Sequence, residues 1–322
     1  MKQAAYGAVY GALAGDAAGA TLEFGRSVPS SSEVDGAMKM IGGGIWKTAP
    51  GQITDDGEMM LCLMRALAGR KTFDIEEVAR QYLRWIESMP FDIGGTTTRG
   101  LKGGLQGSAD SLHRGMWESA RKHNLGSKAN GALMRIAPLG VWGFRIPEAE
   151  LVDAARSESR LTHPNPTCGD ASALYCIAIR HLVLEAGDGE GAVRAARRWA
   201  DRLGNREVSA WLEDAMNGVD VGYAPQIGFV KYGFTHAFRH LAAGTGYAES
   251  LRETLSGGGD TDTNACIVGG LVGARVGEEG IPENMKKALL SCDTTRGRER
   301  PEFLQTRAEL PGLIDALLGG VV

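Results

Sequence analysis

The chain has 322 residues, 43% apolar and 23% charged, with a formal net charge of −4, the balance of an ordinary water-soluble globular protein. No long basic block is present, which argues against a nucleic-acid partner, and no run of 18 apolar residues, so no membrane-spanning helix is expected. Five scattered cysteines (Cys62, Cys168, Cys176, Cys266, Cys292) without CxxC spacing read as reduced, mostly buried thiols of a cytoplasmic protein, with a monomer as the default.

The first element is MKQAAYGAVYGALAGDAAGA. It superficially resembles a signal peptide, but Asp16 and the glycines through its core fit a buried helix over 3–20 better. Gly7, Gly11, Gly15 and Gly19 recur every fourth residue, in a chain whose 46 glycines are roughly twice the usual share. Each helical glycine costs up to about 1 kcal/mol relative to alanine, so a compensation is expected. Close helix–helix packing around the acidic motifs described below would supply it, and Gly269, Gly270 and Gly273 repeat the pattern. A buried Asp16 requires a partner. Glu23 follows the glycines, where a loop could carry it over a cleft; otherwise it is an ordinary exposed glutamate.

Residues 38–53 could hold a short hairpin, although their glycines favour a loop. Asp55-Asp56 then opens a helix over 56–69, stopped by Gly69. Helices follow over 75–87 and 95–107, and Asp92 lies in the connection between them. Asp92 is either an N-cap for the helix beginning near Gly95 or a general acid/base. In the next helix, 128–143, Asn130-Gly131-Ala132-Leu133-Met134-Arg135 is a tight entry or a ligand contact through Asn130 and Arg135. Helices over 147–158 and 166–185 flank Leu161-Thr162-His163-Pro164. His163 there is either structural or a partner for a phosphate or carboxylate. The remaining helices are predicted over 189–203, 206–217, 227–243, 247–257, 262–276, 282–290 and 307–319. Alternating β-branched runs are rare, so the expectation is one compact all-α domain over 1–322, built from many orthogonally packed helices.

Two acidic motifs, about 200 residues apart, carry the chemistry: Thr54-Asp55-Asp56 and Asp260-Thr261-Asp262-Thr263. Both are sets of hard oxygen donors, suited to Mg²⁺, Ca²⁺ or Mn²⁺ rather than zinc or copper. Each opens a helix, where Asp and Thr also serve as plain N-caps. Two such motifs together favour a pair of metal ions, provided the fold joins the helix starts. Gly257-Gly258-Gly259 lacks the preceding strand of a dinucleotide fingerprint, and no Glu-x-x-His pair supports a di-iron bundle.

In order, these elements resemble the ADP-ribosylhydrolase (ADP-ribosylglycohydrolase) family, most of all its dinitrogenase reductase-activating branch. The likeness runs through GALAGDAAGATLEF, GGGIWKTAPGQITDDGEMMLCL, PFDIGGTTTRG, NGALMRIAPLG, LTHPNP and GGGDTDTNACIVGGLVGA, from about residue 5 to 276. It implies a compact all-α fold and a centre of two divalent cations, Mg²⁺ or Mn²⁺. By motif the ligands would be Thr54, Asp55, Asp56, Asp260, Asp262 and Thr263. It also implies removal of ADP-ribose from an ADP-ribosylated protein, typically at the N-glycosidic bond to arginine. Asp92 and Glu23 would then be catalytic. Asn130, Gly131 and His163 match positions lining the ADP-ribose cleft, Gly94 and Thr96 would contact substrate, and Phe229 aligns loosely with an aromatic near the ligand. Two departures stand out: Gly57 replaces the usual Thr, and Gly95 an Asn common in that branch. They leave two alternatives: hydrolysis of O-linked or small-molecule ADP-ribose conjugates, and a non-catalytic ADP-ribose-binding relative.

Overall fold

The computed structural model describes every residue except 26, 27, 107–110, 308 and 320–322. Among the described residues the regular elements are helices, with two isolated antiparallel bridges, Gly43 with Thr48 and Ala129 with Phe229. The first half holds α1 (Lys2–Gly19), α2 (Ser31–Met38), α3 (Asp55–Leu67), α4 (Ile75–Glu87), α5 (Gly95–Leu101), α6 (Leu112–Asn124), α7 (Ala137–Trp142) and α8 (Glu148–Arg160). The second holds α9 (Pro166–Leu184), α10 (Gly189–Leu203), α11 (Arg206–Met216), α12 (Val230–Ala243), α13 (Tyr247–Ser256), α14 (Thr261–Val276), α15 (Glu283–Leu290) and α16 (Leu310–Leu317). No described helix is long and apolar enough to cross a membrane.

The glycine repeat explains the centre of the molecule. α1 is buried from Ala4 to Gly19 and α14 from Thr261 to Ala274. A Cβ on Gly7 would lie 2.1 Å from Gly273 O, one on Gly11 2.3 Å from Gly269 O, and one on Gly15 2.1 Å from Ala265 O. The pairing runs in opposite directions along the two helices, so they are antiparallel and in backbone contact. The end of α1 therefore meets the start of α14. Tyr247 Oη donates to Gly11 O and Tyr175 Oη to Ile267 O, both at 2.7 Å, pinning α13 and α9 to this pair.

Several sequence expectations need correction. Helices α2 and α6 were not anticipated. α2 carries a full capping box between Ser30 and Glu33, a signal that was present in the sequence. α6 is polar and carries Gly115, which packs directly on Gly103. The expected helix over 128–143 is instead a 3₁₀ turn, Asn130–Ala132, followed by α7, since Pro138 has no N–H to continue a helix through it. Pro138 then restarts the helix. The helix expected over 95–107 stops at Leu101, and its last residue, 107, lies outside the described residues. So does 308, within the helix expected over 307–319. As the glycines of 38–53 favoured, the stretch after α2 is a loop, closed by one bridge.

Candidate metal centre and cleft

Because α1 and α14 are antiparallel, Asp16 near the end of α1 lies beside the opening turn of α14. The start of α3 is fastened there by Asp16 itself. Its carboxylate accepts from Thr54 N at 3.0 Å, Thr54 Oγ1 at 2.8 Å and Gly57 N at 2.9 Å. These are free N–H groups of a helix start, so a carboxylate from another helix does the capping. The N-cap residues Thr54 and Asp260 make no side-chain cap bond themselves. The plain N-cap explanation of the two motifs therefore fails for both.

The motif side chains converge instead. Thr54 Oγ1 lies 3.4 Å from both Asp56 Oδ2 and Asp262 Oδ2, and Thr263 Oγ1 lies 3.4 Å from Asp56 Oδ2. Two carboxylate groups, Asp16–Asp56–Asp262 and Glu23–Asp260–Asp262, each offer oxygens within 4.8 Å of one another and could each chelate a divalent cation. Asp262 belongs to both. Asp55 belongs to neither; it faces the cleft and interacts with Asp92. Asp56 Oδ1 is buried and has no hydrogen-bond partner. No described Lys, Arg or His forms an ion pair with any of these acids.

Such a cluster is electrostatically incomplete. Two unit charges 4 Å apart repel by about 4 kcal/mol at an effective dielectric of 20. Burial, then neighbouring carboxylates, push Asp55 up to about 8. Burial and Asp92 push Glu23 up to about 8, against a bond from Trp46 that lowers it. Burial, Asp55 and Asp260 push Asp92 up to about 8. Burial raises Asp16 to about 7, although its bonds from Thr54 and Gly57 pull downward. Asp56 and Asp262 are raised well above the ordinary range by burial and by neighbouring acids. Hard oxygen donors, an unpartnered buried oxygen and missing counter-charge all fit divalent cations.

These shifts set a pH dependence. A carboxyl whose folded pKa is raised holds its proton in the folded chain while the unfolded chain loses it. The metal-free protein should therefore lose stability as pH rises from about 4, where unfolded carboxyls ionise, to about 8, where Glu23, Asp55 and Asp92 ionise folded. Bound cations should reverse this. Thermal melts with and without Mn²⁺ should show a larger metal-induced shift at pH 8 than at pH 6; an equal or smaller shift at pH 8 would refute the electrostatic description.

The acids floor a cleft of about 460 Å³. Its walls come from the loops after α1 and α4, the start of α5, the 3₁₀ turn at Asn130 and the segment before α12. Asn130 Nδ2 donates to Asp260 Oδ2 at 2.8 Å, coupling that turn to the start of α14. Gly94 is the N-cap of α5 and lines the cleft with Thr96, whose hydroxyl is 3.1 Å from Ser127 Oγ. Gly131 lines it too; a Cβ there would meet His163 Cε1 at 2.8 Å, so only glycine lets that ring approach. His163 reaches the cleft although it is almost fully buried. Phe229 is not among the lining residues. Its ring packs against Trp211 at 5.4 Å and lines an adjoining cavity that shares Ala129, Ile227 and Gly228 with the cleft.

Two residues here escaped the sequence reading, and a third was misplaced by it. Trp46 Nε1 donates to Glu23 Oε2 at 2.6 Å and fixes its direction, with Phe24 and Phe91 packed on the indole. Arg300 pairs with buried Glu58 of α3 and donates to Ser88 O and Met89 O, both at 3.1 Å, holding the turn that carries Asp92. Arg135 is wholly buried and bonded to Glu158, so it is not a ligand contact. The tryptophan in GGGIWK, just before the acidic motif, was the one local clue; nothing local marks Arg300. Gly57 also acquires a reason: a Cβ would lie 2.6 Å from Asp16 Oδ2.

Comparison with known proteins agrees with this geometry. The chain is 32% identical over 296 residues to an ADP-ribosyl-dinitrogen reductase glycohydrolase of Rhodospirillum rubrum, covering 88% of this chain and 90% of that one. It is 26% identical to an ADP-ribosylarginine hydrolase of Pseudomonas putida, covering 98% of this chain and 81% of that one. A solved structure described as an ADP-ribosylglycohydrolase-related protein complex superposes with a TM-score of 0.75 at 23% identity, covering 99% of this chain and 96% of the other, so the all-α fold is shared. The family model described as ADP-ribosylglycohydrolase matches residues 1–319, and the chain belongs to that family.

Proposed function

We propose that this protein is a metal-dependent hydrolase that removes ADP-ribose from an ADP-ribosylated protein by cutting the N-glycosidic bond to arginine. The observation that carries the reading is the convergence of two acidic helix starts, with an unpartnered Asp56 oxygen, beneath a 460 Å³ cleft. That volume falls within the range of about 300–1,000 Å³ for small-molecule sites. The arginine linkage is supported by two relatives, one named for ADP-ribosyl-dinitrogen reductase and one for ADP-ribosylarginine. Thr54, Asp55, Asp56, Asp260, Asp262 and Thr263, with Asp16 and Glu23 beside them, would hold two cations, Mg²⁺ or Mn²⁺. When bound, these would orient sugar hydroxyls and supply Lewis acidity near the reacting carbon. Five free, buried cysteines support a cytoplasmic protein, and we take it to act as a monomer.

The acid and base follow from local bonds. Asp92 interacts with the Asp55 carboxyl, which favours the protonated form, so Asp92 gives its proton to the departing guanidine nitrogen. Burial raises Glu23 to about 8, as it does Asp92, but of the two Glu23 also accepts the indole N–H of Trp46, a bond that favours the charged form, so Glu23 is assigned the proton of the attacking water. The glycosidic C–N bond breaks as the C–O bond forms, and proton exchange with solvent resets both groups. Asp92→Asn should lower kcat on ADP-ribosyl-arginine by about 100-fold or more with ADP-ribose affinity retained. Full activity in that variant would remove Asp92 from the chemistry. Defined arginine-, serine- and ester-linked conjugates test the linkage: turnover confined to the serine or ester forms would contradict the arginine assignment.

A further inference from the structure

His163 turns one ring edge to the cleft and the other to a buried charged chain. Its Nδ1 is 2.8 Å from Thr162 Oγ1, which accepts from Arg135 Nη2 at 2.9 Å. Arg135 Nε donates to Glu158 Oε1 at 2.6 Å, and Tyr82 Oη donates to the same oxygen at 2.6 Å. Tyr82, Arg135, Glu158 and Thr162 are fully buried, and the Arg135 guanidinium lies 4.7 Å over the Tyr82 ring. His163 N donates to Ser159 O at 2.7 Å, so the backbone beneath the ring is fixed as well.

The donor inventory settles the direction of this chain. Arginine only donates, so Thr162 Oγ1 receives a hydrogen from it. The hydroxyl's own hydrogen then has one acceptor in reach, His163 Nδ1. A hydrogen on Nδ1 would set two donors against one hydroxyl and strand that hydroxyl's hydrogen in a dry interior. An imidazolium is disfavoured by burial first, and then by Arg135 and Arg99. The remaining hydrogen therefore sits on Nε2. That atom has no partner among the described residues and lies against Gly131, at the cleft wall.

We infer that Arg135, anchored by Glu158, is a positioning residue that acts through Thr162 to hold His163 as the neutral Nε2–H tautomer, a one-way hydrogen-bond donor to an acceptor oxygen of the ligand. The ligand part rests on the ADP-ribose reading above, since the diphosphate and ribose of that molecule present such oxygens. A group that can only donate would be rejected at this wall. The buried Arg135–Glu158 pair is thus retained for direction rather than for stability, a role open to a buried ion pair whose net stabilisation is small.

Two measurements on the full chain test this. In ¹⁵N-histidine-labelled protein, with His163→Gln to assign the resonance, long-range ¹H–¹⁵N spectra should show His163 protonated at Nε2 and bare at Nδ1, with no ligand present. Thr162→Val should mix the tautomers and weaken ADP-ribose binding by about tenfold, the loss of one hydrogen bond to a charged partner, while Thr162→Ser restores both. Mn²⁺ affinity should stay unchanged in both variants. A wild-type signal protonated at Nδ1, or at both nitrogens, would overturn the inference. So would Thr162→Val with wild-type affinity and a single unchanged tautomer. An Nε2–H signal in a wild-type chain that fails to bind ADP-ribose would support the tautomer assignment and overturn the functional reading.

Discussion

Asp56→Asn or Asp262→Asn will make the metal-free protein more stable and abolish its response to divalent cations. Substituting a buried carboxylate usually costs stability, so the sign is diagnostic. Here each acid is buried among like charges with no cationic partner, and Asp56 Oδ1 accepts no bond at all. Without cations at pH 8, each must either ionise against its neighbours or retain a proton that the unfolded chain releases. Both alternatives destabilise the fold, and the amide avoids them. Relief of about 1–2 kcal/mol corresponds to a rise of roughly 1.5–3 °C in Tm for a chain of this size. The same change removes a ligand oxygen, so the Mn²⁺-induced shift should vanish and hydrolysis should fall by about a thousandfold or more. Melts in chelator at pH 8 check the first half. A variant less stable than the parent there would mean that the carboxylate has a partner and the site is not built for cations.

Gly15→Ala will destabilise the protein by about 3 kcal/mol or more, at the upper end of overpacking costs. Helix propensity alone predicts the opposite, a gain of up to about 1 kcal/mol. The structure decides between them. A Cβ on Gly15 would lie 2.1 Å from Ala265 O, 2.5 Å from Ala265 C and 2.9 Å from Cys266 N, all backbone atoms that cannot rotate away. The helices must separate, and separation moves Asp16 away from Asp262, so cation affinity should fall as well. Gly312 is the control. It lies in α16 with nothing within 4 Å of the added carbon, and Gly312→Ala should give the small gain that propensity predicts. Denaturant unfolding of the two variants checks the contrast. Equal effects would show that the glycine repeat of α1 is not a packing device.

What the sequence disclosed, and what it hid, divides along physical lines. Periodicities of one helix were readable: the four-residue glycine spacing of α1 announced close packing, and the Asp/Thr clusters announced donor-rich helix starts. Gly269, Gly270 and Gly273 repeated the pattern, and the structure pairs that stripe with α1. Asp16 was marked as needing a partner, and the partners are the Thr54 and Gly57 amides. What could not be read was any role defined by residues distant in the chain. Arg300 steadies the Asp92 turn from 208 positions away, in a region with no motif. Asp16, marked only as needing a partner, also stands among the oxygen donors, and Asp55 of the first motif also interacts with Asp92. Phe229 was aligned by local sequence alone; its ring packs on Trp211 and lines the cavity adjoining the cleft. The segment 128–143 read as one helix because its apolar residues are helically spaced, but Pro138 opens a new helix within it.

Under the proposed function, the acidic floor would hold cations that the ADP-ribose chemistry requires. The most direct test is release of ADP-ribose from an arginine-ADP-ribosylated protein by the purified chain, measured with Mg²⁺, with Mn²⁺ and with chelator. Release is expected with either or both cations, none in chelator, and recovery when the metal is restored. Release that proceeds undiminished in chelator, after bound metal has been shown to be removed, would contradict it.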